Sequence, residues 1–388
     1  MCARTRVLFA IGSMAGGGSE RQVVELLKQL DRSRFTPSLY LVYRTGELLP
    51  EIPEDVPVFS FWENHELPRW NYPGRIHRWQ VRHLSHILNE QKADVVYDRT
   101  LVMTLVSAPA AIRARVPFVS VAVADPKYDL EHSDARFKWL KKRLLRKAYR
   151  EARQVVAVSE DLRRRLIEYY ALSPDKVAVI RNPIDLARVD CLAAEGEPDF
   201  QADRFHIVSA GRLQEQKGYV HLLAAIDQLV NVRGRKQVLL HILGQGPQEQ
   251  MLRSIVVERN LEEYVSFDGF QPNPLSHFRA AHLVCLASIY EGMPNVLLEA
   301  MACRTPVLAA NCPTGPRELL DDGRLGRLVP PANAGELADA IDDAMSNYEK
   351  WLDLVAAARA WVEERFSVET AVRGVEQVLY ESSLGNQL

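Results

Sequence analysis

The chain has 388 residues, with 47% apolar and 25% charged side chains and a formal net charge of −2. That length exceeds what one hydrophobic core usually holds, so two domains are expected, and the composition excludes disordered, fibrous and disulfide-stapled classes. No apolar run approaches the ~20 residues of a membrane span.

The five cysteines (Cys2, Cys191, Cys285, Cys303, Cys312) form no C-x-x-C pair and no metal spacing. Reduced thiols in a cytosolic protein are the expectation. Charge is unevenly placed: residues 1–190 carry 31 Lys and Arg against 23 Asp and Glu, and residues 191–388 carry 17 against 27. A positive first half suits an anionic partner or surface. No nucleic-acid motif accompanies it, so nucleic acid is not expected.

In chain order, Arg4 and Arg6 ahead of Val7-Leu-Phe-Ala-Ile-Gly12 superficially resemble a signal peptide. The apolar stretch is too short and runs into Gly16-Gly-Gly18, so a first β-strand is expected. Gly16-Gly-Gly-Ser-Glu-Arg21 then opens a helix, Ser19–Leu30, with Ser19 as a good N-cap. The glycines let a ligand approach the backbone, but a flexible turn explains them equally well. The dinucleotide fingerprint G-x-G-x-x-G is absent, which lowers an oxidoreductase reading.

Further strands are expected at Ser38–Val42, Val95–Tyr97, Phe118–Ala122 and Gln154–Val158, with helices at His77–Gln91 and Arg136–Arg153. The last helix holds nine Lys and Arg and one Glu, with Trp139, Leu140, Leu144 and Leu145 among them. Trp70, Arg75, His77, Arg78, Trp79 and Arg82 add aromatic and basic groups earlier in the chain. A basic amphipathic helix suits an anionic membrane surface, and a core-packing helix with a solvated basic face has equal weight.

Pro183 and Glu195-Gly-Glu-Pro198 interrupt the pattern and mark a boundary near 183–204. The expected domains are 1–190 and 203–366. The second repeats the alternation, with strands at Phe205–Ser209, Val238–Leu243, Val265–Phe267, Leu283–Leu286 and Pro306–Ala309. Helices are expected at Tyr219–Asn231, Gln248–Asn260, Asn295–Cys303 and Gly335–Asn347, and a last one after Ser367. Strands alternating with helices predict an α/β fold of two doubly wound parallel sheets.

Four loops of the second half carry candidate chemistry. Ala210-Gly-Arg-Leu-Gln-Glu-Gln-Lys-Gly-Tyr219 puts Arg212 and Lys217 beyond a strand's carboxyl end, where a diphosphate clamp would sit. Gly244 and Gly246 are read mainly as a tight strand-to-helix connection. In Phe267-Asp-Gly-Phe-Gln271, Gly269 and Phe270 could lie beside a base, or form a plain loop. Ser288-Ile-Tyr-Glu-Gly-Met-Pro-Asn-Val-Leu-Leu-Glu-Ala-Met-Ala-Cys303 sets Glu291 in a turn and Glu299 on a mostly apolar helix, with Pro294 suited to its first position. Two carboxylates for hydroxyls beside helix-start amides for phosphate fit a nucleotide sugar.

Taken in order, these motifs resemble the retaining glycosyltransferases of family 4 over essentially the whole chain. Thr305-Pro-Val-Leu-Ala and Cys312-Pro-Thr-Gly-Pro-Arg-Glu318 are also similar to members that extend bacterial surface glycans. The resemblance implies a GT-B fold, with two Rossmann-like domains facing a central cleft and the terminal helix, 367–385, crossing back over the first. It implies that Glu299 binds ribose hydroxyls and that Glu291 approaches the donor sugar. The amides of Gly292, Met293, Pro294, Asn295 and Val296 would touch sugar and phosphate. Arg212 and Lys217 would neutralise the departing diphosphate, Gly17 and Gly18 would approach it, and Phe270 would lie near the base.

No metal or cofactor is implied; a UDP-sugar is the favoured co-substrate. The implied acceptor is a saccharide, carried on a polyprenyl lipid, with the enzyme cytoplasmic or peripheral at the inner face of the membrane. Where many relatives place a His just after the strand that corresponds to Phe118–Ala122, this chain reads Val119-Ser-Val-Ala-Val-Ala-Asp125. Asp125 and His132 are the nearest substitutes, and neither is assigned. A catalytically silent nucleotide-sugar-binding scaffold and a sugar-nucleotide epimerase are the alternatives.

Overall fold

A computed structural model describes residues 4–67, 70, 72–132, 137–196 and 198–384. Contacts divide the chain into two compact units, residues 1–182 with 369–388, and residues 183–368.

In the first unit the strands are β1 (Thr5–Ile11), β2 (Phe35–Leu41), β3 (Val58–Ser60), β4 (Val95–Arg99), β5 (Phe118–Ala122), β6 (Gln154–Ala157) and β7 (Val177–Val179). They form a parallel sheet in the order β3-β2-β1-β4-β5-β6-β7. The central strands are buried on both faces, which is why they read as continuous apolar runs and not as alternating ones. The order reverses between β1 and β4, and in open α/β sheets it is at such a reversal, outside the strands' carboxyl ends, that ligands bind.

The second unit repeats this with β8 (Phe205–Ala210), β9 (Val238–Leu243), β10 (Val265–Gly269), β11 (Leu283–Leu286), β12 (Val307–Ala310) and β13 (Arg327–Val329), in the parallel order β10-β9-β8-β11-β12-β13. Its reversal lies between β8 and β11. The core beneath is aliphatic, with Ile207, Leu222, Leu223, Ile226, Leu240, Ile242, Leu283 and Leu308 all fully buried.

The structure departs from the sequence reading at four points. Helix Leu101–Ala114 was not expected; it buries eight residues around most of its circumference and contains Pro109, so it lacks an amphipathic period. Strands β3, β7 and β13 are three residues each, too short to show a pattern. The helix after β1 starts at Gly18 with Gly17 as its N-cap, so Ser19 is inside the helix and caps nothing. Pro294 is likewise the N-cap, in extended conformation, and not the first helical residue.

The expected boundary at 190 also moves. Helix Leu186–Ala193 packs on helices Leu275–Ala280 and Asn295–Ala302. Asp190 holds Arg359 bidentately at 2.8 and 3.0 Å, which ties it to the second unit. The last helix, Val368–Leu384, belongs with the first unit, where Glu376 accepts from Asp31 N at 2.8 Å and pairs with Arg34 at 3.1 Å.

One buried carboxylate in the first unit has no cationic partner among the described residues. Asp98, at the end of β4, is 0% exposed and accepts hydroxyl hydrogens from Thr104 (2.6 Å), Ser120 (2.8 Å) and Ser107. Burial pushes its pKa up to about 6, against the pull of those three donors. The unfolded carboxyl ionises first as pH rises, so the folded state loses stability between about pH 4 and about pH 6.

Two predictions follow from this packing. Leu240→Ala, in the middle of β9, is expected to cost about 2–5 kcal/mol, read by denaturant melts. Asp98→Asn keeps the shape but buries no charge. It is expected to gain on the wild type by up to about 3 kcal/mol as pH rises from about 4 to about 7; a difference that stays constant with pH would mean Asp98 ionises at no cost.

Candidate active site

The reversal between β8 and β11 brings together two of the loops that the sequence singled out. After β8 the chain turns through Gly211 and Arg212 to a short 3-10 turn, Glu215–Lys217. After β11 it runs from Ala287 to Pro294 before helix Asn295–Ala302. Lys217 Nζ meets Glu291 Oε1 at 2.7 Å, with side chains 17% and 8% exposed. Such a pair is held firmly only where both charges find further partners.

Glu291 has them. Ser288 Oγ donates to the same carboxylate oxygen at 2.7 Å, and Thr314 Oγ1 donates to the Glu291 carbonyl. Gln216 fixes the loop from the other side: its Nε2 donates to Tyr290 O at 3.0 Å and its carbonyl accepts Ile289 N at 2.8 Å. The loops meet backbone to backbone. A Cβ on Gly218 (φ +64°) would stand 2.1 Å from the Ala287 carbonyl, so this position requires glycine.

Arg212 is exposed at the mouth of the same loop and has no ion-pair partner among the described residues. Gly292, Met293 and Pro294 are buried, while Asn295 and Val296 open the helix, whose start carries no side-chain cap. Glu299 lies one turn further on and is half-buried. An uncapped helix start, a free guanidinium and an ammonium fixed by a carboxylate make a site suited to a diphosphate beside hydroxyl groups.

Phe270 is half-buried directly after β10, at the edge of the sheet, with β9 between it and β8. Gly244 is structural, since a Cβ there would lie 2.1 Å from the Gly211 carbonyl. Gly17 and Gly18 lie in the first unit, at the start of the helix after β1.

Asp125 is not available as a substitute for the missing His. It is fully buried, its Oδ2 accepts from Arg165 Nε at 2.8 Å, and its Oδ1 accepts the amide of Lys127 at 2.9 Å. The His132 side chain is outside the described residues, as is Arg136.

Sequence reasoning missed Ser288, Gln216 and Thr314 as groups that hold Glu291. Their only signal is a polar side chain within an apolar or glycine-rich run. Cys312, buried near Glu291, has its thiol pushed up first by burial and then by that carboxylate, so it stays neutral.

Comparison with known proteins gives the family of the chain. A family model described as Glycosyltransferase Family 4 matches residues 16–188, and one described as Glycosyl transferases group 1 matches residues 194–361. The N-acetylgalactosamine-N,N'-diacetylbacillosaminyl-diphospho-undecaprenol 4-alpha-N-acetylgalactosaminyltransferase of Campylobacter jejuni is 32% identical over 176 residues, 45% of this chain and 46% of that protein. A putative colanic acid biosynthesis glycosyltransferase of Salmonella typhimurium is 29% identical over 218 residues, 53% of this chain and 51% of that one. The matches thus span about half the length of these curated relatives.

Among solved structures, HepE of Anabaena in complex with UDP-glucose is similar over 97% of this chain and 100% of that chain, at a TM-score of 0.78 and 24% identity. That likeness is one of fold. With both family models matched and both sheets doubly wound, the chain belongs to the family 4 glycosyltransferases and has their GT-B fold.

Proposed function

We propose that this protein is a retaining glycosyltransferase that moves a sugar from a nucleotide-sugar, most readily a UDP-sugar, to a saccharide acceptor carried on a polyprenyl lipid. The observation that carries the reading is the Lys217–Glu291 pair, with Arg212 beside it and an uncapped helix start behind it. Two relatives support the choice of substrates by what their names state. One acts on a diphospho-undecaprenol glycan, and the other was crystallised with UDP-glucose.

In this reading Arg212 and Lys217 hold the diphosphate, and the helix dipole adds fixed positive potential where the leaving group gains charge. Glu291 accepts a hydroxyl hydrogen of the donor sugar, Glu299 accepts from the ribose, and Phe270 lies against the base. The bond from the anomeric carbon to the diphosphate oxygen breaks, and a bond to the acceptor oxygen forms on the same face. The acceptor proton passes to the departing phosphate oxygen. No protein nucleophile is required, and the fixed cations do the work a metal would otherwise do.

The acceptor's lipid would be met at the inner face of a membrane through helix Lys138–Glu151. Its inner side, Leu145, Ala148 and Tyr149, is buried in the first unit. Phe137, Trp139, Leu140 and Leu144 are exposed beside Arg143 and Arg146, an apolar and basic face suited to anionic lipid. No helix among the described residues is long and apolar enough to cross a membrane.

A scaffold that binds nucleotide sugar without turnover is the second reading. The observation favouring it is that Asp125 is tied to Arg165 where relatives carry a His.

Three measurements test these proposals. In a thermal-shift panel of UDP-, GDP-, ADP- and CMP-sugars, one class should stabilise the protein by mass action. Purified protein should release that nucleotide, and Lys217→Ala should slow release by about 100-fold or more, with Glu291→Gln also impaired. Tight binding without release, across varied acceptors, would favour the scaffold. Separately, the protein should co-sediment with anionic vesicles. Neutralising Lys141, Lys142, Arg143, Arg146 and Lys147 together should abolish this; unchanged sedimentation rules the helix out as the anchor.

A further inference from the structure

Away from the Lys217–Glu291 pair, three titratable side chains of β8, β9 and β10 form a hydrogen-bonded chain on one face of the second sheet. His206 Nε2 lies 2.7 Å from the Gln201 carbonyl, His206 Nδ1 lies 3.0 Å from His241 Nε2, and His241 Nδ1 lies 2.9 Å from Asp268 Oδ2. Ser266 Oγ donates to the other oxygen of Asp268. The ring of Phe200 stacks on both imidazoles at 4.3 Å, and His206 and His241 are 2% and 7% exposed.

The hydrogens of this chain can be counted. A carbonyl only accepts, so His206 Nε2 must carry a hydrogen. The bond between the two histidines needs one more, and the bond to Asp268 needs a third. Two neutral imidazoles carry two hydrogens between them. All three bonds therefore exist together only if the trio holds one further proton, either as an imidazolium facing a carboxylate or as two neutral rings facing a carboxylic acid. Losing that proton breaks one of the three bonds.

The chain ends at a place that matters for the reading proposed above. The register between β9 and β10 slips between Phe267 and Gly269, so Asp268 is the residue left out of the ladder and turned onto His241. Its carbonyl accepts Gln271 Nε2 at 2.7 Å, and the Gly269 carbonyl accepts Gly244 N at 2.6 Å. The turn Asp268–Gln271, which carries Phe270, is thus closed over the protonated chain.

We infer that His206, His241 and Asp268 are positioning residues that hold the Phe270 turn through a single shared proton, so that nucleotide binding weakens as that proton is lost. This rests on the donor-site reading, in which Phe270 lies against the base.

The surroundings fit a chain of this kind. Burial raises the Asp268 carboxyl, but the bonds from His241 and Ser266 outweigh it and hold the carboxyl below its usual range. Burial lowers His206, His277 and His282, so the neighbouring rings stay neutral. His277 stands edge-on to Phe200 from helix Leu275–Ala280, and His282 Nδ1 accepts the His206 amide at 3.0 Å. Asp203 and Arg204, just before β8, act on His206 in opposite directions.

Asp268→Asn separates the proton from the geometry. An asparagine amide can donate to His241 Nδ1, after which His241 donates to His206 and His206 to Gln201, all three bonds being made by neutral groups. The test has two arms. Nitrogen-15 spectra of the histidine rings in the wild type should show His206 with hydrogen on Nε2. They should also show the trio holding its third proton at neutral pH, with the His241 ring doubly protonated or Asp268 protonated. Spectra with neither overturn the inference, whatever the protein binds.

In the second arm, UDP affinity is measured by calorimetry from about pH 6 to about pH 9. Binding linked to one proton weakens up to about tenfold per pH unit above the chain's own pKa, and Asp268→Asn should be flat over the same range. Equal slopes in the two proteins refute the coupling to the Phe270 turn. If UDP binds neither protein, with ADP, GDP and CMP also silent, the donor reading fails while the ring spectra still decide the proton count. Should Asp268→Asn not fold, His241→Gln supplies a second variant, since glutamine can donate and accept without an added proton.

Discussion

A carboxylate and an ammonium placed 2.7 Å apart, each less than one-fifth exposed, set the terms for everything around them in the second unit. Neither charge tolerates such burial alone, so each loop that contributes one must also contribute its satisfaction. Ser288 serves the carboxylate, Thr314 the backbone beside it, and Gln216 stitches the two loops together. The stitching demands close approach, which is why Gly218 sits against the Ala287 carbonyl where no other residue fits. Oε1 of Glu291 accepts both recorded side-chain bonds, leaving Oε2 for a hydroxyl.

The first unit has the same topology and a different use of polar groups. Its buried carboxylate, Asp98, is held by three hydroxyls and no recorded cation, and its pKa rises instead of its partner count. A second buried carboxylate, Asp125, is neutralised by Arg165 and caps the helix that follows. Both are accounted for by the fold.

Much of this was legible in the sequence, and the physical reason is burial. Central strands such as β5 and β9 are covered on both faces, so Phe118–Ala122 and Val238–Leu243 are apolar except for Ser120 and His241, and their bounds were found to the residue. Edge strands of three residues carry no such signature, and helix Leu101–Ala114 is apolar on too many sides to show a period. Lys217 and Arg212 stood out because they lie between glycines beyond a strand's carboxyl end, where open α/β sheets bind ligands, and Glu291 because its turn leads into the apolar helix that carries Glu299. Ser288, Gln216 and Thr314 did not, because a hydroxyl or amide reveals its partner only once two distant loops are brought together. The histidine chain was invisible for the same reason, its members being separated by 35 and 27 positions.

Hydrogen-bond accounting then separates groups that hold the fold from groups that await a ligand. Asp125, Asp190 and Glu376 each have recorded cation or amide partners and need nothing more. Arg212 is exposed on a loop otherwise braced by buried pairs, at the one edge where the sheet opens. A flexible surface arginine gains little from being mounted on so rigid a base. An arginine meant to meet a diphosphate gains a great deal, because a preset position lowers the entropy lost when the ligand arrives. The rigidity of the loop is therefore itself an argument for what Arg212 binds.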